Sequence, residues 1–150
     1  MKRILVVDDE KDVRNLLEET LKSKDYEILQ AGTGEDALVI SRKMRPDVIL
    51  MDIMMPGDLN GIEATRMLKA DVRTKQSKVI ILTSSGTLKE MAMSAGADAY
   101  FLKPFSPLEL LRKIDEFLGE TYLGRGEEAR LSSRQSYPIS NVPMTGFTKQ

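Results

Sequence analysis

The chain has 150 residues, 41% hydrophobic and 30% charged, with 22 basic against 23 acidic side chains and no Cys, His or Trp. That length predicts one domain with a sizeable core, and a net charge of −1 gives no bulk electrostatic reason for nucleic-acid binding. The missing residue types exclude disulfide scaffolds, thiolate zinc sites, cysteine nucleophiles, Ser-His-Asp triads and phosphohistidine, so any metal here is oxygen-held: Mg²⁺, Mn²⁺ or Ca²⁺.

The apolar run Ile4 to Val7 reads as a strand and ends in Asp8-Asp9-Glu10, too short for a signal peptide. No segment approaches the ~20 apolar residues of a membrane span, so a reduced, cytoplasmic protein is expected. Val13, Leu16, Leu17 and Leu21 then repeat with helical spacing. Tyr26 to Ala31 reads as a second strand, and Ala37, Leu38, Ile40 and Met44 stripe a second helix. Val48 to Met51 is continuously apolar, as a strand covered on both faces must be, and Asp52 follows it. Ile62, Thr65, Met67 and Leu68 form a weaker third helical stripe. Val79 to Leu82 and Ala99 to Leu102 read as the last strands. The helix between them carries Leu88, Met91, Ala92 and Ala95, with Gly96 as C-cap, and its methionines are expected to be adaptable core packing. Leu108, Leu111, Ile114 and Leu118 stripe a fifth helix that Ser106-Pro107 opens and Gly119 ends. Five strand–helix repeats predict an α/β fold: a doubly wound parallel sheet with right-handed crossovers and helices on both faces.

Periodicity stops at Gly119. Residues 120–150 hold scattered Gly, Ser and Pro with no sustained apolar face, and read as a linker or disordered tail behind a domain spanning 1–119. Docking on a partner through Tyr122, Tyr137 or Phe147 is the alternative.

In an open α/β sheet the ligand crevice lies at the carboxyl ends of the strands. Here the first strand ends in Asp8-Asp9, the third in Asp52, the fourth in Thr83-Ser84-Ser85 and the fifth in Lys103-Pro104. Asp8-Asp9 alone fits a helix cap, Thr83 alone an ordinary strand-end hydroxyl, and Lys103 alone a solvated lysine. Asp52 resists that treatment, because a carboxylate ending a buried strand costs free energy unless compensated. Gathered carboxylates repel unless a cation sits among them; Mg²⁺ takes one or two carboxylates plus water and phosphate oxygens, and a lysine adds a second positive charge. Such a set suits transfer of a phosphoryl group to a carboxylate, giving an acyl phosphate.

Four stretches carry a resemblance: Ile4-Leu5-Val6-Val7-Asp8-Asp9-Glu10; Asp47 through Asp52 to Met54-Met55-Pro56-Gly57; Leu82-Thr83-Ser84; and Gly96-Ala97-Asp98-Ala99-Tyr100-Phe101-Leu102-Lys103-Pro104-Phe105. In this order and spacing the chain resembles a bacterial two-component response-regulator receiver domain over residues 1 to about 119. The resemblance implies a five-stranded sheet in the flavodoxin-like order 2-1-3-4-5 with five helices. It implies Asp52 as phosphoacceptor, with Asp8, Asp9, Asp52 and the Met54 backbone carbonyl holding Mg²⁺, or Mn²⁺ in its place. Lys103 would pair with the phosphoryl oxygens through a cis Lys103-Pro104 peptide, Thr83 would be the switch hydroxyl, and Tyr100 would turn inward behind it. The donor would be a histidine kinase or phosphotransfer protein. An output domain or target would read the face of the fourth helix, fifth strand and fifth helix, with no nucleic acid or membrane bound by this chain. The loop Pro56 to Gly61 is one residue longer than the commonest family form, and Ala99 stands before Tyr100 where dimerising relatives carry Asp.

The expected function is thus a phosphorylation switch in a phosphorelay, not an enzyme beyond self-catalysed phosphoryl transfer and dephosphorylation. A haloacid-dehalogenase-type phosphatase would need a second Asp two residues after Asp52, where Met54 stands. A flavodoxin-like FMN carrier would need a Ser/Thr/Gly-rich phosphate loop where Asp8-Asp9-Glu10 stands. A receiver fold used only for binding would not require the acidic set with Thr83 and Lys103.

Overall fold

Each of the apolar runs becomes a strand, and each amphipathic stretch a helix. The structure, a computed structural model, describes residues 1–22 and 24–119 and divides the chain into a unit Met1–Leu102 and a second that starts at Lys103. The first holds β1 (Lys2–Val7), α1 (Lys11–Leu21), β2 (Tyr26–Ala31), α2 (Gly34–Met44), β3 (Val48–Asp52), α3 (Gly61–Ala70), β4 (Lys78–Thr83), a 3₁₀ turn (Gly86–Leu88), α4 (Lys89–Ser94) and β5 (Ala99–Leu102). The second holds α5 (Pro107–Leu118). The sheet is parallel throughout, in the order β2-β1-β3-β4-β5.

Burial follows strand position. β3 is buried at every residue and β4 at every residue but Lys78, whereas the edge strand β2 is half-buried until Ala31. Because side chains alternate across a strand, Leu5, Val7, Ile49, Met51, Val79 and Ile81 share one sheet face. They form a core with Ala37 and Leu38 of α2, Ile62, Ala64 and Leu68 of α3, and Ala92 of α4. Burying each large aliphatic chain contributes roughly 1.5–3 kcal/mol. The alternate positions Ile4, Val6, Leu50 and Ile80 are fully buried too, and α1 buries Leu17 and Leu21.

Local chemistry starts and stops the helices. The Thr33 hydroxyl accepts the Asp36 N–H at the start of α2, and Asn60 with Glu63 forms a capping box on α3. In the second unit Ser106 accepts the Glu109 N–H, Pro107 takes the first helical position, and Gly119 closes α5 in the left-handed conformation.

Four helical stripes differ in detail from the spacing-based expectation. Met91 and Met93 of α4 are 54% and 40% exposed, so they are not core packing. A six-residue helix offers the sheet one narrow face, which Ala92 fills with Ala95 just beyond, and the larger flanking side chains are left outside. Leu16, Met67 and Leu108 also face solvent, and in α5 the fully buried positions are Leu110 and Ile114, an i, i+4 pair. The α4 cap residue is Ala95, with Gly96 following it at positive φ. The sequence segment 120–150 lies outside the described residues.

Candidate functional site

Strand register places the acidic residues. Val7 pairs with Met51, so the chain leaves β1 at Asp8 beside the last residue of β3, Asp52. Asp52 in turn pairs with Leu82, one residue before Thr83, which ends β4 and is fully buried. Asp8 is 2% exposed, Asp52 9%, and Asp9 is open to solvent. One carboxylate oxygen from each of the three lies within 4.8 Å of the others. At an effective dielectric near 20, unit charges at that separation repel by roughly 3–4 kcal/mol per pair. Neither Asp8 nor Asp9 caps α1, whose N-cap is Glu10 without a side-chain bond; the Asp8 Oδ1 instead accepts the Glu10 N–H at 2.9 Å just ahead of the helix.

The donor set fits Mg²⁺. All three groups are hard oxygens, the chain has no His or Cys to favour a softer metal, and the exposed Asp9 leaves the solvent side where a hydrated ion keeps its water.

Backbone packing fixes this edge of the sheet. Gly61, the first residue of α3, donates its N–H to the Ile53 carbonyl at 2.9 Å. A Cβ at Gly61 would stand 2.0 Å from the Asp52 carbonyl oxygen, so only glycine lets α3 start against the backbone of the candidate acceptor. The loop between β3 and α3 is also tied to α2, where Glu35 accepts the Asp58 N–H at 3.1 Å. Met54, at the start of this loop, has its side chain 66% exposed.

A second chain of contacts leads away from Thr83. Its hydroxyl accepts the Ser85 N–H at 3.3 Å, and the Ser85 carbonyl accepts a hydrogen bond from the Tyr100 hydroxyl on β5. Tyr100 is half-buried and packs against the core. Burial pushes its phenol upward from the ordinary value, partly opposed by a hydrogen bond with the Leu88 backbone, so it remains a donor at neutral pH. Ser85 therefore joins Thr83 to Tyr100, a role no sequence pattern announces. Lys103 opens the second unit, and the Lys103–Pro104 peptide bond is cis.

A parallel, doubly wound sheet with a carboxylate trio on its carboxyl edge defines an α/β protein with an all-oxygen candidate cation site. The response regulator receiver domain family matches residues 4–115. The chain is 39% identical over 128 residues to the phosphate regulon transcriptional regulatory protein PhoB of Pseudomonas aeruginosa, a match covering 84% of this chain and 56% of that protein. Among solved structures it is similar to chemotaxis protein CheY4 of Vibrio cholerae (TM-score 0.71, 31% identity, 78% of this chain and 98% of that one). It is also similar to the receiver domain of a sensor histidine kinase from Pseudomonas aeruginosa, which has a magnesium ion coordinated in its active site cleft (TM-score 0.73, 30% identity, 79% and 98%). The chain belongs to the response regulator receiver domain family of two-component systems, a signalling switch rather than a classical enzyme. It spans about half the length of the curated relatives it matches. Among the described residues no helix is long and apolar enough to cross a membrane.

Proposed function

We propose that this chain is a cytoplasmic phosphorylation switch in which Asp52 accepts a phosphoryl group from the phosphohistidine of a separate histidine kinase or phosphotransfer protein. The observation that carries this reading is the meeting of Asp8, Asp9 and Asp52 within 4.8 Å at adjacent strand ends. An Asp52 oxygen attacks phosphorus; a P–O bond forms as the P–N bond breaks, and its electron pair leaves on the imidazole, which takes a proton from solvent. Asp8, Asp9, Asp52 and the Met54 backbone carbonyl are the residues that would hold Mg²⁺, or Mn²⁺. When bound, the ion supplies charge neutralisation for the phosphoryl oxygens. The family resemblance assigns the second neutralising charge to Lys103.

The switch follows from the bonds around Ser85. Thr83 accepts the Ser85 N–H through a long, neutral hydrogen bond that little opposes rotation of the hydroxyl, whose O–H would gain a stronger, charge-assisted bond by donating to a phosphoryl oxygen. Once the hydroxyl turns toward Asp52, the Ser85 segment loses its tie to Thr83 while keeping those to Thr87 and Tyr100, and the 3₁₀ turn and α4 behind it shift population. An output domain or target reads that change at a face including α4 and β5, and residues 120–150 act as the tail or linker behind the 1–119 domain. The test is intact-mass spectrometry after incubation with acetyl phosphate. A Mg²⁺-dependent phosphoryl adduct, absent from Asp52→Asn, is expected. If the adduct persists in Asp52→Asn, or if neither acetyl phosphate nor beryllofluoride modifies the chain, the assignment is wrong.

A further inference from the structure

Arg14 lies in α1, outside the acidic cluster, yet its side chain reaches the cluster's backbone. Its Nη1 donates to the Asp8 carbonyl oxygen at 2.7 Å and its Nε to Gln30 Oε1 on β2 at 2.9 Å. Gln30 is fixed in turn, because its Nε2 donates to Glu18 Oε1 at 2.6 Å and to Asn15 Oδ1 at 3.2 Å. Space for the guanidinium comes from Gly32, where a Cβ would stand 3.3 Å from Nη1. On the other side of Asp8, its N–H donates to the Ala31 carbonyl at 3.1 Å. The peptide joining Asp8 to Asp9 is therefore gripped at its carbonyl by a cation that is itself clamped to β2. Asp9 is exposed, so the direction in which it leaves that peptide is set by the backbone rather than by surrounding packing.

We infer that Arg14 is a positioning residue for the divalent-cation site: by holding the Asp8 carbonyl it fixes the peptide between two metal-binding carboxylates. The inference rests on the metal reading proposed above. Two effects of opposite sign act through Arg14. Its charge repels a nearby cation, so repulsion alone makes removal of Arg14 tighten Mg²⁺ binding. Positioning acts the other way: without the grip, the ion must order the Asp8–Asp9 turn when it binds, and affinity falls. Positioning dominates because the guanidinium spends its donors on two oxygens and its field at a half-exposed site is screened.

Calorimetric titration of Mg²⁺ into the full chain separates these outcomes. Arg14→Met is expected to weaken binding about tenfold, the scale on which outer partners tune metal sites. Gln30→Leu, which removes the anchor but keeps the cation, should weaken it by less in the same direction, and Arg14→Lys should fall between wild type and Arg14→Met. Unchanged or tighter binding in Arg14→Met overturns the inference. If thermal melts show that Arg14→Met does not fold, Gln30→Leu decides alone, and unchanged affinity there overturns it equally. Wild type and Asp9→Asn are titrated alongside: a wild type that binds no Mg²⁺, or an Asp9→Asn that binds as well as wild type, removes the metal reading itself and the inference with it.

Discussion

The two edges of the sheet use the same residue type in opposite ways. At the edge where strands begin, Asp47 accepts the Arg3 N–H at 2.9 Å, and Asp98 accepts both the Val79 N–H and the Lys69 ammonium at 2.8 Å. Each carboxylate there is matched to donors of its own. At the edge where strands end, Asp8, Asp9 and Asp52 are pressed together within 4.8 Å. Aspartates that serve the fold are distributed among donors. The trio at the other edge also has donors, since Asp8 accepts the Glu10 N–H, but among the described residues it alone brings three carboxylates close together, and a cation among them would relieve their repulsion.

Substitutions can break or sharpen that contrast. The largest effect belongs to Gly61→Ala, whose Cβ would meet the Asp52 carbonyl at 2.0 Å and the Ile53 Cα at 2.8 Å, both backbone atoms. Urea unfolding should show a loss of about 3 kcal/mol, the upper end of overpacking costs. Asp98→Ala should follow at about 2 kcal/mol, because it strands the Val79 N–H and removes the ion pair with Lys69, whose ammonium keeps the Ser77 carbonyl. A neutral result there would erase the distinction between the edges. Asp9→Asn is expected to act with the opposite sign: solvent screens the exposed Asp9 well below the unscreened pair repulsion, so its loss stabilises the metal-free protein by about 1 kcal/mol while abolishing Mg²⁺ binding. Tyr100→Phe should cost roughly 1 kcal/mol for the lost bond to Ser85, with Asp52 still phosphorylated and the chemical shifts of α4 no longer following phosphorylation.

Glu109 of α5 shows a third way of placing a carboxylate. It is buried, and among the described residues neither of its oxygens finds a hydrogen-bond partner. Burial raises its pKa above the ordinary 4.5, opposed in part by Arg112. The folded state then holds this proton more tightly than the unfolded state does. Stability is therefore lost as pH rises from the ordinary value through the folded one, and below the ordinary value the penalty vanishes. Glu109→Gln should raise the melting temperature at neutral pH, with the gain disappearing on acidification below about 4.5. A gain that persists in acid would show that charge burial is not its cause.

The strands and the acidic trio were legible because both follow from local patterns: continuous Val/Ile/Leu runs mark two-sided burial, and a carboxylate closing such a run is conspicuous. Helix faces were less so, since Met91 and Leu108 fit a stripe by spacing but lose their place to Ala92 and Leu110. Which apolar residue wins depends on the closeness of the opposing surface, and periodicity does not encode it. Arg14, Ser85 and Gly61 were invisible for a related reason. Arg14 looks like any charge on a helix, Ser85 acts through its main chain, and Gly61 matters through a distance to Asp52. Side-chain chemistry can be read along a chain; backbone contacts between segments cannot.

The most direct test asks which carboxylate carries the phosphoryl group. Borohydride reduces an acyl phosphate to the alcohol, so reduction after treatment with acetyl phosphate and Mg²⁺, followed by peptide sequencing in a mass spectrometer, marks the acceptor as homoserine. Homoserine is expected at position 52 alone. Homoserine at Asp8 or Asp9, or a labelled chain unmodified at Asp52, would contradict it.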